Sequence, residues 1–162
     1  DLSLEEHPIF LPHIAANIFW LQTGESLLRH SELHIGLSFN DSSSSLLFKK
    51  SDIKTDNKIL FIEDLDEYLY HVDRMIISLK RAGKFNNIKA MIVGSMTKMH
   101  DNKIKFGMNA KEIIKYHTRD FNFPVCFNFP AGHQKNNRPV ILGKVSKLDI
   151  NSNLVCLSQW MI

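Results

Sequence analysis

Residues 58–75 read KILFIEDLDEYLYHVDRM, a short apolar run followed by an acidic turn and an amphipathic stretch. The run Ile59–Ile62 consists of Ile, Leu and Phe, which favours a buried strand. After it, apolar residues recur at alternating spacings of four and three from Leu65 to Leu79, the period of a helix with one buried face. Gly83 stands where a helix C-cap is expected. A strand followed by a helix predicts one unit of an α/β fold.

The chain beyond residue 83 continues this alternation. The predicted elements are a strand over Ile88–Val93, a helix that opens with the capping-box pattern Asn109–Glu112 and runs to about Arg119, a strand over Phe123–Phe127, and a hairpin of Val140–Ile150 and Leu154–Ser158 around the turn 151–153. Because strands alternate with helices, we expect an α/β domain whose central strands are parallel.

The first 48 residues carry weaker signals. Ile14–Leu28 keeps a helical spacing of apolar residues, weakened by Gly24, and is predicted as a helix. Residues 40–45, NDSSSS, predict a loop. We therefore divide the chain into a poorly matching N-terminal segment or linker over residues 1–48 and a main domain over residues 49–162.

Length and composition exclude several classes of protein. A chain of 162 residues, 44% hydrophobic and 23% charged, fits one soluble globular domain. Its net charge of +3 is spread along the chain, and no aromatic residues alternate with the lysines, so we expect no nucleic-acid partner. No apolar run reaches the length of about eighteen residues that spans a bilayer, so we expect no membrane partner either.

Two cysteines indicate the redox environment. Cys126 and Cys156 each lie within an apolar run, which favours buried free thiols over a disulfide. Such thiols fit a reducing compartment. No charged-then-apolar signal sequence opens the chain, so the expected location is the cytoplasm.

Two segments place ionisable residues just beyond apolar runs. Glu63 follows the strand Ile59–Ile62, and His133 follows the strand Phe123–Phe127 within residues 129–137, FPAGHQKNN. Functional side chains of open α/β sheets gather at the carboxyl ends of strands, so we expect the two to meet. A carboxylate bound to one imidazole nitrogen leaves the other free to take a proton from a nucleophile. The pattern supplies two members of a nucleophile–His–carboxylate triad, although a Glu that caps a strand end and an unrelated loop His would look the same.

With these positions in view, the sequence resembles the LD-carboxypeptidases, serine peptidases of the murein tetrapeptide carboxypeptidase group. The resemblance covers about residues 51–158, roughly two-thirds of the chain. The matching positions are 59–64 (ILFIED), Glu67, Tyr70, 73–75 (DRM), Leu79, 82–83 (AG), Phe85, 92–94 (IVG), 124–125 (PV), 129–130 (FP), 132–133 (GH), Asn137 and 142–143 (LG).

The resemblance implies a fold, a reaction and two catalytic residues. The C-terminal half of these enzymes is a swivelling β/α domain. The enzymes hydrolyse the bond between diaminopimelate and a terminal D-alanine, which trims murein tetrapeptides during peptidoglycan recycling. By this resemblance Glu63 orients His133, and His133 acts first as general base and then as general acid. It also implies homodimers and a reaction without metal or cofactor.

The family's serine lies in an N-terminal half, on a Gly-x-Ser-Asp turn. Ser51, followed by Asp52, resembles that motif, but Lys49 and Lys50 replace its glycine context and Ser51 lies where the family has a linker. We therefore expect this chain to be the C-terminal half, without its nucleophile and without the serine-bearing N-terminal half. Two alternatives stay open. The chain is a catalytically inactive remnant or peptide-binding fragment, or it belongs to a peptidase of the related microcin C self-immunity type, which uses the same triad on a peptide–nucleotide conjugate.

Other polar residues are weaker candidates. His30 and His34 are four residues apart, so on a helix they could share a metal ion, but no third ligand is evident and surface histidines are the simpler interpretation. Asp64, Asp66 and Glu67 are predicted to be charges at a helix N-terminus, with a contact to substrate amines as the alternative.

Three more positions of the family pattern are interpreted as structural. Asp73 and Arg74 lie on the predicted helix after residue 65. Asn137 is predicted to steady the loop that carries His133.

Overall fold

The computed structural model describes residues 27–38, 54–151 and 154–159, and in them the chain forms one six-stranded sheet with two helices. The elements are β1 Leu27–Ser38, β2 Lys58–Leu65, α1 Leu69–Arg81, β3 Ala90–Thr97, α2 Ala110–Thr118, β4 Val125–Cys126, β5 Val145–Ile150 and β6 Val155–Gln159. The strand order is β4-β3-β2-β1-β5-β6. The first four strands pair in parallel, whereas β5 pairs antiparallel with β1 and with β6. The predicted α/β class with parallel central strands is confirmed.

β1 is not among the strands predicted from the sequence. Leu27 and Leu28, the last residues of the helix predicted over Ile14–Leu28, belong to this strand, and residues 14–26 lie outside the described residues. β1 lies in the middle of the sheet and pairs with β2 on one side and β5 on the other. Hydrogen bonds to two neighbouring strands outweigh a local helical spacing. The division of the chain at residue 48 stays a prediction.

β2 continues past Ile62 to Leu65, which pairs with Thr97 of β3. Asp66 then takes a left-handed conformation, with φ of 65°, and turns the chain before α1 begins at Leu69. The helix predicted from Leu65 therefore starts about one turn later. Its buried face is the predicted one: Leu69, Val72, Ile76 and Leu79.

Both predicted helix caps are present. Gly83 has φ of 71°, and the Lys84 N–H donates to the Leu79 carbonyl at 3.0 Å, the hydrogen-bond pattern of a glycine-terminated helix. At the start of α2 the Asn109 side chain accepts from the Glu112 N–H at 3.0 Å, and the Glu112 carboxylate accepts from the Asn109 N–H at 2.8 Å. This reciprocal capping box sets the first residue of α2.

β4 and β5 are shorter than predicted. β4 is reduced to Val125–Cys126, because Pro124 has no N–H for the ladder and Asn128, with φ of 58°, turns the chain. β5 begins at Val145 instead of residue 140, after a turn at Gly143 with φ of 80°. β5 and β6 nevertheless form the predicted antiparallel hairpin.

Apolar side chains pack on both faces of the sheet. α1 and α2 lie on one face, over buried residues of β2, β3 and β4. On the opposite face Phe129 and Ala131 pack with Ile59, Phe61 and Ile92. Because Phe129 and Ala131 begin the loop that carries His133, that loop is anchored in the core before it reaches the edge of the sheet.

Cys126 and Cys156 are buried free thiols, as predicted. Burial raises the pKa of the Cys126 thiol to about 12, so it stays protonated near neutral pH and is a poor nucleophile. Within the described ranges, no helix combines the length and the apolar character needed to cross a bilayer.

Candidate active site

Glu63 lies near the carboxyl end of β2, where the pairing with β3 changes register between Ile62 and Asp64. Irregularities of this kind change the direction of side chains at the ends of strands. Gly94 lies on the neighbouring strand β3, and a Cβ at this position would come within 3.2 Å of the Glu63 Cβ. The absence of a side chain at Gly94 therefore leaves the room that Glu63 occupies.

The His133 loop is held against β3 by backbone hydrogen bonds. The Phe129 N–H donates to the Val93 carbonyl and the Ser95 N–H donates to the Ala131 carbonyl, both at 3.0 Å. A Cβ at Gly94 would lie only 2.5 Å from the Ala131 oxygen. Glycine at this strand position is thus a requirement for the close approach of the loop.

Gly132 brings the loop up to the carboxylate. Its φ of 107° is one that residues with side chains rarely adopt. A Cβ here would lie 2.5 Å from Ser95 Oγ and 2.7 Å from Glu63 Oε2. Any side chain at position 132 would therefore displace the loop or Glu63, and the next residue is His133.

Side chains fasten the loop on both sides of His133. The Asn137 side chain accepts from the Gly132 N–H at 3.0 Å, which is the steadying role predicted for it. Thr97 Oγ1 donates to the His133 carbonyl at 3.1 Å, and Gln134 Nε2 donates to the Phe129 carbonyl at 3.1 Å. The backbone of His133 is thereby fixed relative to the end of β3.

His133 Nδ1 lies 3.0 Å from Glu63 Oε2. An ionised carboxylate only accepts, so in a neutral imidazole paired with it Nδ1 carries the proton and donates, and Nε2 keeps its lone pair. The Glu63 side chain is 12% exposed and that of His133 is 56% exposed, so a sheltered carboxylate orients an accessible ring. The distance meets the reach that a triad needs, and the catalytic roles of the two residues stay a prediction.

Asp64, the next residue, is buried, and its two oxygens differ. Oδ1 accepts from the Leu65 N–H at 2.8 Å, whereas Oδ2 has no hydrogen-bond partner among the described residues. Burial raises the pKa of Asp64 to about 6; the charges of Glu67 and Glu63 add to this shift, and the Leu65 N–H and His133 oppose it. A fraction of Asp64 is consequently protonated near neutral pH.

The prediction of acidic residues at a helix N-terminus is wrong. β2 extends to Leu65 and α1 begins only at Leu69, so no acidic residue lies in its first turn. Asp66 and Glu67 instead pair with histidines: Asp66 Oδ1 lies 2.6 Å from His100 Nε2, and Glu67 Oε1 lies 2.6 Å from His71 Nδ1.

Asp73 and Arg74 make contacts away from the Glu63–His133 pair, in line with a structural interpretation. Asp73 Oδ1 lies 2.7 Å from Nε2 of the buried His117, which joins α1 to α2. The Arg74 guanidinium lies 4.8 Å from the centre of the Tyr70 ring, within reach of a cation–π contact.

Three further candidates from the sequence are Ser51, His30 and His34. Ser51 lies outside the described residues. His30 and His34 belong to β1, where four residues span about 13 Å, so the hypothesis that they share a metal ion on a helix is wrong. Within the described part of the chain, no group of three or more His, Cys, Asp or Glu residues could hold a metal ion.

Ser95 and Thr97 contact the His133 loop without being predicted from the sequence. The apolar run of β3 ends at Val93, but the strand continues through polar residues to Thr97. A polar continuation beside the strand end that carries Glu63 is the signal that could have identified them.

The structure thus places a carboxylate–imidazole pair at the carboxyl edge of the parallel part of the sheet, in a domain of the α/β class. The model of the LD-carboxypeptidase C-terminal domain matches residues 40–148. The chain therefore belongs to the LD-carboxypeptidase family of hydrolases.

Relatives in sequence agree with this membership. A Rickettsia conorii protein named as a carboxypeptidase is 33% identical over 96 residues, which are 59% of this chain and 28% of that protein. The probable murein peptide carboxypeptidase of Bacillus subtilis is 28% identical over 100 residues, 62% of this chain and 31% of the relative. The chain thus spans about a third or less of the length of these relatives.

Solved structures share the fold at low identity. A muramoyltetrapeptide carboxypeptidase from Oxalobacter formigenes superimposes with a TM-score of 0.76 at 18% identity, covering 96% of this chain and 50% of that one. The microcin C7 self immunity protein MccF superimposes with a TM-score of 0.69 at 19% identity, covering 91% of this chain and 42% of that one.

Proposed function

We propose that this chain is the C-terminal half of a serine-type LD-carboxypeptidase that releases terminal D-alanine from murein tetrapeptides during peptidoglycan recycling in the cytoplasm. The observation that carries the proposal is the 3.0 Å contact between His133 Nδ1 and Glu63 Oε2. Family membership and the murein peptide carboxypeptidase of Bacillus subtilis support the reaction class.

The roles follow from the orientation of the ring. With Nδ1–H held by Glu63, His133 Nε2 takes the proton of a serine hydroxyl as that oxygen attacks the peptide carbonyl. The same nitrogen then returns the proton to the amine of the departing D-alanine. Glu63 stabilises the imidazolium that forms between these two steps.

The nucleophile would come from the serine-bearing N-terminal half of the family. The short coverage of the sequence relatives supports this view, since two-thirds or more of their length has no match here. The exposed position of the His133 ring is consistent with a partner surface that approaches Nε2. Homodimer formation is a further part of the proposal, drawn from the family alone.

The test is D-alanine release from murein tetrapeptide by the purified chain, with and without an added N-terminal half of the Bacillus subtilis relative. We expect release only from the combination. Two matched controls, an N-terminal half with its serine changed to alanine and a chain carrying His133→Ala, are expected to be silent.

Other outcomes would contradict the proposal in different ways. Release by the chain alone would mean that it contains its own nucleophile, with Ser51 the first residue to change. Silence of the combination, from folded and associated partners, would favour an inactive remnant or peptide-binding fragment. Cleavage of a peptide–nucleotide conjugate in preference to murein tetrapeptide would favour the microcin immunity type.

A further inference from the structure

Only two buried side-chain polar atoms among the described residues have no hydrogen-bond partner; one belongs to the residue after Glu63 and the other lies against Gly132, the residue before His133. They are Asp64 Oδ2 and Ser95 Oγ. Buried polar atoms are almost always paired, because leaving one unpaired is costly. Partial protonation lowers the free-energy cost of burying Asp64 Oδ2 without a partner. The Ser95 hydroxyl is always neutral, so its cost is not lowered in this way.

Ser95 is placed within reach of the Glu63 carboxylate. Its Oγ and the Glu63 Oε2 lie 2.5 Å and 2.7 Å from the same point, the position that a Cβ of Gly132 would take. The two oxygens are therefore separated by no more than about 5 Å, a gap that one bridging water or a rotation of the Ser95 side chain closes.

The hydrogen-bonding capacities of the two groups match. A serine hydroxyl has one proton to donate, and a carboxylate accepts at two oxygens with several lone pairs. Among the described residues, the Glu63 carboxylate accepts one hydrogen bond, that from His133. An unused donor thus lies beside an acceptor with free capacity, in a place sheltered from solvent.

We propose that Ser95 is a positioning residue whose hydroxyl donates a hydrogen bond to Glu63, directly or through one water, and so fixes the carboxylate that orients His133. A charge-assisted hydrogen bond holds the carboxylate oxygens in one direction. It also leaves Glu63 fewer alternative rotamers in which the contact with Nδ1 is lost. The structural part of this inference concerns the pair itself, and its catalytic consequence rests on the proposed carboxypeptidase function.

Ser95→Ala isolates the hydroxyl. The Ser95 backbone N–H, which donates to the Ala131 carbonyl, is retained in this variant, so the His133 loop keeps its anchor on β3. Ser146→Ala is the matched control. Ser146 is also buried, and its hydroxyl accepts from Gln159 Nε2 at 2.9 Å on the hairpin strands, away from Glu63.

The first measurement is made on the full chain without any partner half. Nitrogen-15 edited NMR follows the His133 Nδ1–H proton, its chemical shift and its rate of exchange with water. We expect Ser95→Ala to move this resonance upfield and to speed its exchange by about threefold to tenfold, because the carboxylate that protects it becomes mobile. Ser146→Ala leaves both unchanged. An unchanged His133 signal in folded Ser95→Ala would overturn the proposal.

A second measurement needs no variant. In a crystal structure of the unaltered chain at a resolution that shows waters, Ser95 Oγ lies within hydrogen-bond distance of Glu63 or of a water that also contacts Glu63. A dry gap between the two oxygens, or a Ser95 hydroxyl donating elsewhere, would contradict the proposal even if Ser95→Ala failed to fold.

Measurements of turnover distinguish the role proposed for Ser95 from the carboxypeptidase function proposed for the chain. In the combination that releases D-alanine, Ser95→Ala is expected to lower kcat about tenfold with little change in KM, as for a residue that acts through another. If no combination releases D-alanine but the NMR and crystallographic results hold, the carboxypeptidase assignment fails and the role of Ser95 in the Glu63–His133 pair stands.

Discussion

Two carboxylate–imidazole pairs in this molecule have the same chemistry and opposite surroundings. Glu63 and His133 meet at the carboxyl edge of the sheet, with 56% of the His133 side chain exposed. Asp73 and His117 meet between α1 and α2 at 2.7 Å, with only 7% of the His117 side chain exposed. We call these the edge pair and the helix pair: the His133 ring of the edge pair is accessible to a substrate or a partner, whereas the His117 ring of the helix pair is buried.

The chain reaches these two geometries by different routes. The helix pair needs only two regular helices whose facing positions carry complementary groups. The edge pair needs a strand irregularity at Glu63, a glycine at position 94 under the loop, and a glycine of positive φ before His133. Unusual backbone conformations of this kind concentrate at functional sites, because regular elements do not bring such groups together. We therefore expect changes at the edge pair to affect activity and changes at the helix pair to affect stability.

The largest expected effect comes from removing the accessible ring. In the enzyme completed with a serine-bearing half, His133→Ala should lower kcat about 10³-fold or more, since the nucleophile loses its general base. The melting temperature should change little, because the side chain is mostly exposed. His117→Gln is the matched change in the helix pair and should keep turnover. Near-normal turnover of His133→Ala would show that the edge pair is not catalytic.

The second effect tests the backbone that supports the pair. Gly132→Ala should lower turnover about 100-fold, because the new Cβ would push apart Glu63 and Ser95 and misplace the ring. Its free energy of unfolding should fall by about 2–4 kcal/mol, from a positive φ and from overpacking.

Gly107→Ala separates these two causes. Gly107 also has positive φ, of 88°, but no atom of the residues that the structure describes lies within 4 Å of the position that a Cβ would take. It should lose only the conformational part, about 1–2 kcal/mol, and keep turnover in the completed enzyme. Equal losses of stability and activity in the two glycine variants would mean that the contact with Glu63 and Ser95 does not matter.

The sequence predicts some features around the edge pair and misses others. The meeting of Glu63 and His133 could be predicted, because each follows an apolar run and the carboxyl ends of parallel strands share one edge. The polar residues after Val93 mark Ser95 as a candidate, but its place beside Glu63 could not be predicted, since that place depends on the φ of Gly132 and on where β3 ends. The sequence pattern places the start of α1 about one turn too early, because the left-handed conformation of Asp66 has no distinctive sequence signal.

β1 shows a limit of a different kind. Residues 33–38, LHIGLS, alternate apolar and small or polar residues, which is a strand signal, yet the helical spacing before residue 28 competes with it. Pairing with β2 and β5 decides the outcome, and such pairings between distant parts of the chain have no local signature.

A third prediction concerns the dependence on pH of the free energy of unfolding that the buried Asp64 causes beside the edge pair. Burial raises the pKa of Asp64 to about 6 from an ordinary 3.8, so the folded protein holds its proton more tightly than the unfolded chain. The stability contributed by the neutral form is therefore fully present below about pH 4 and is lost as the pH rises through 6. Asp64→Asn, which stays neutral, should gain stability relative to the unaltered chain between pH 4 and pH 8, by at most about 3 kcal/mol.

Denaturant unfolding of both proteins at the two pH values measures this difference directly. A stability difference between Asp64→Asn and the unaltered chain that is the same at pH 4 and at pH 8 would mean that Asp64 is not desolvated. The predicted result would mean that the edge pair lies next to a group that destabilises the fold at working pH, unlike the helix pair.

The smallest expected effect is in the helix pair itself. Asp73→Asn keeps the size of the side chain and an acceptor oxygen but removes the charge that assists the 2.7 Å hydrogen bond to His117. Asp73 is 29% exposed, so water compensates in part, and the free energy of unfolding at pH 7 should fall by about 1 kcal/mol with turnover unchanged.

Glu63→Gln is the matched isosteric change in the edge pair. It should behave oppositely, with little loss of stability and a large loss of turnover, because a neutral amide cannot stabilise the imidazolium. If Asp73→Asn lowered turnover as much as Glu63→Gln, burial and access would not be what distinguishes the two pairs, and α1 and α2 would have to be coupled to the site through the sheet.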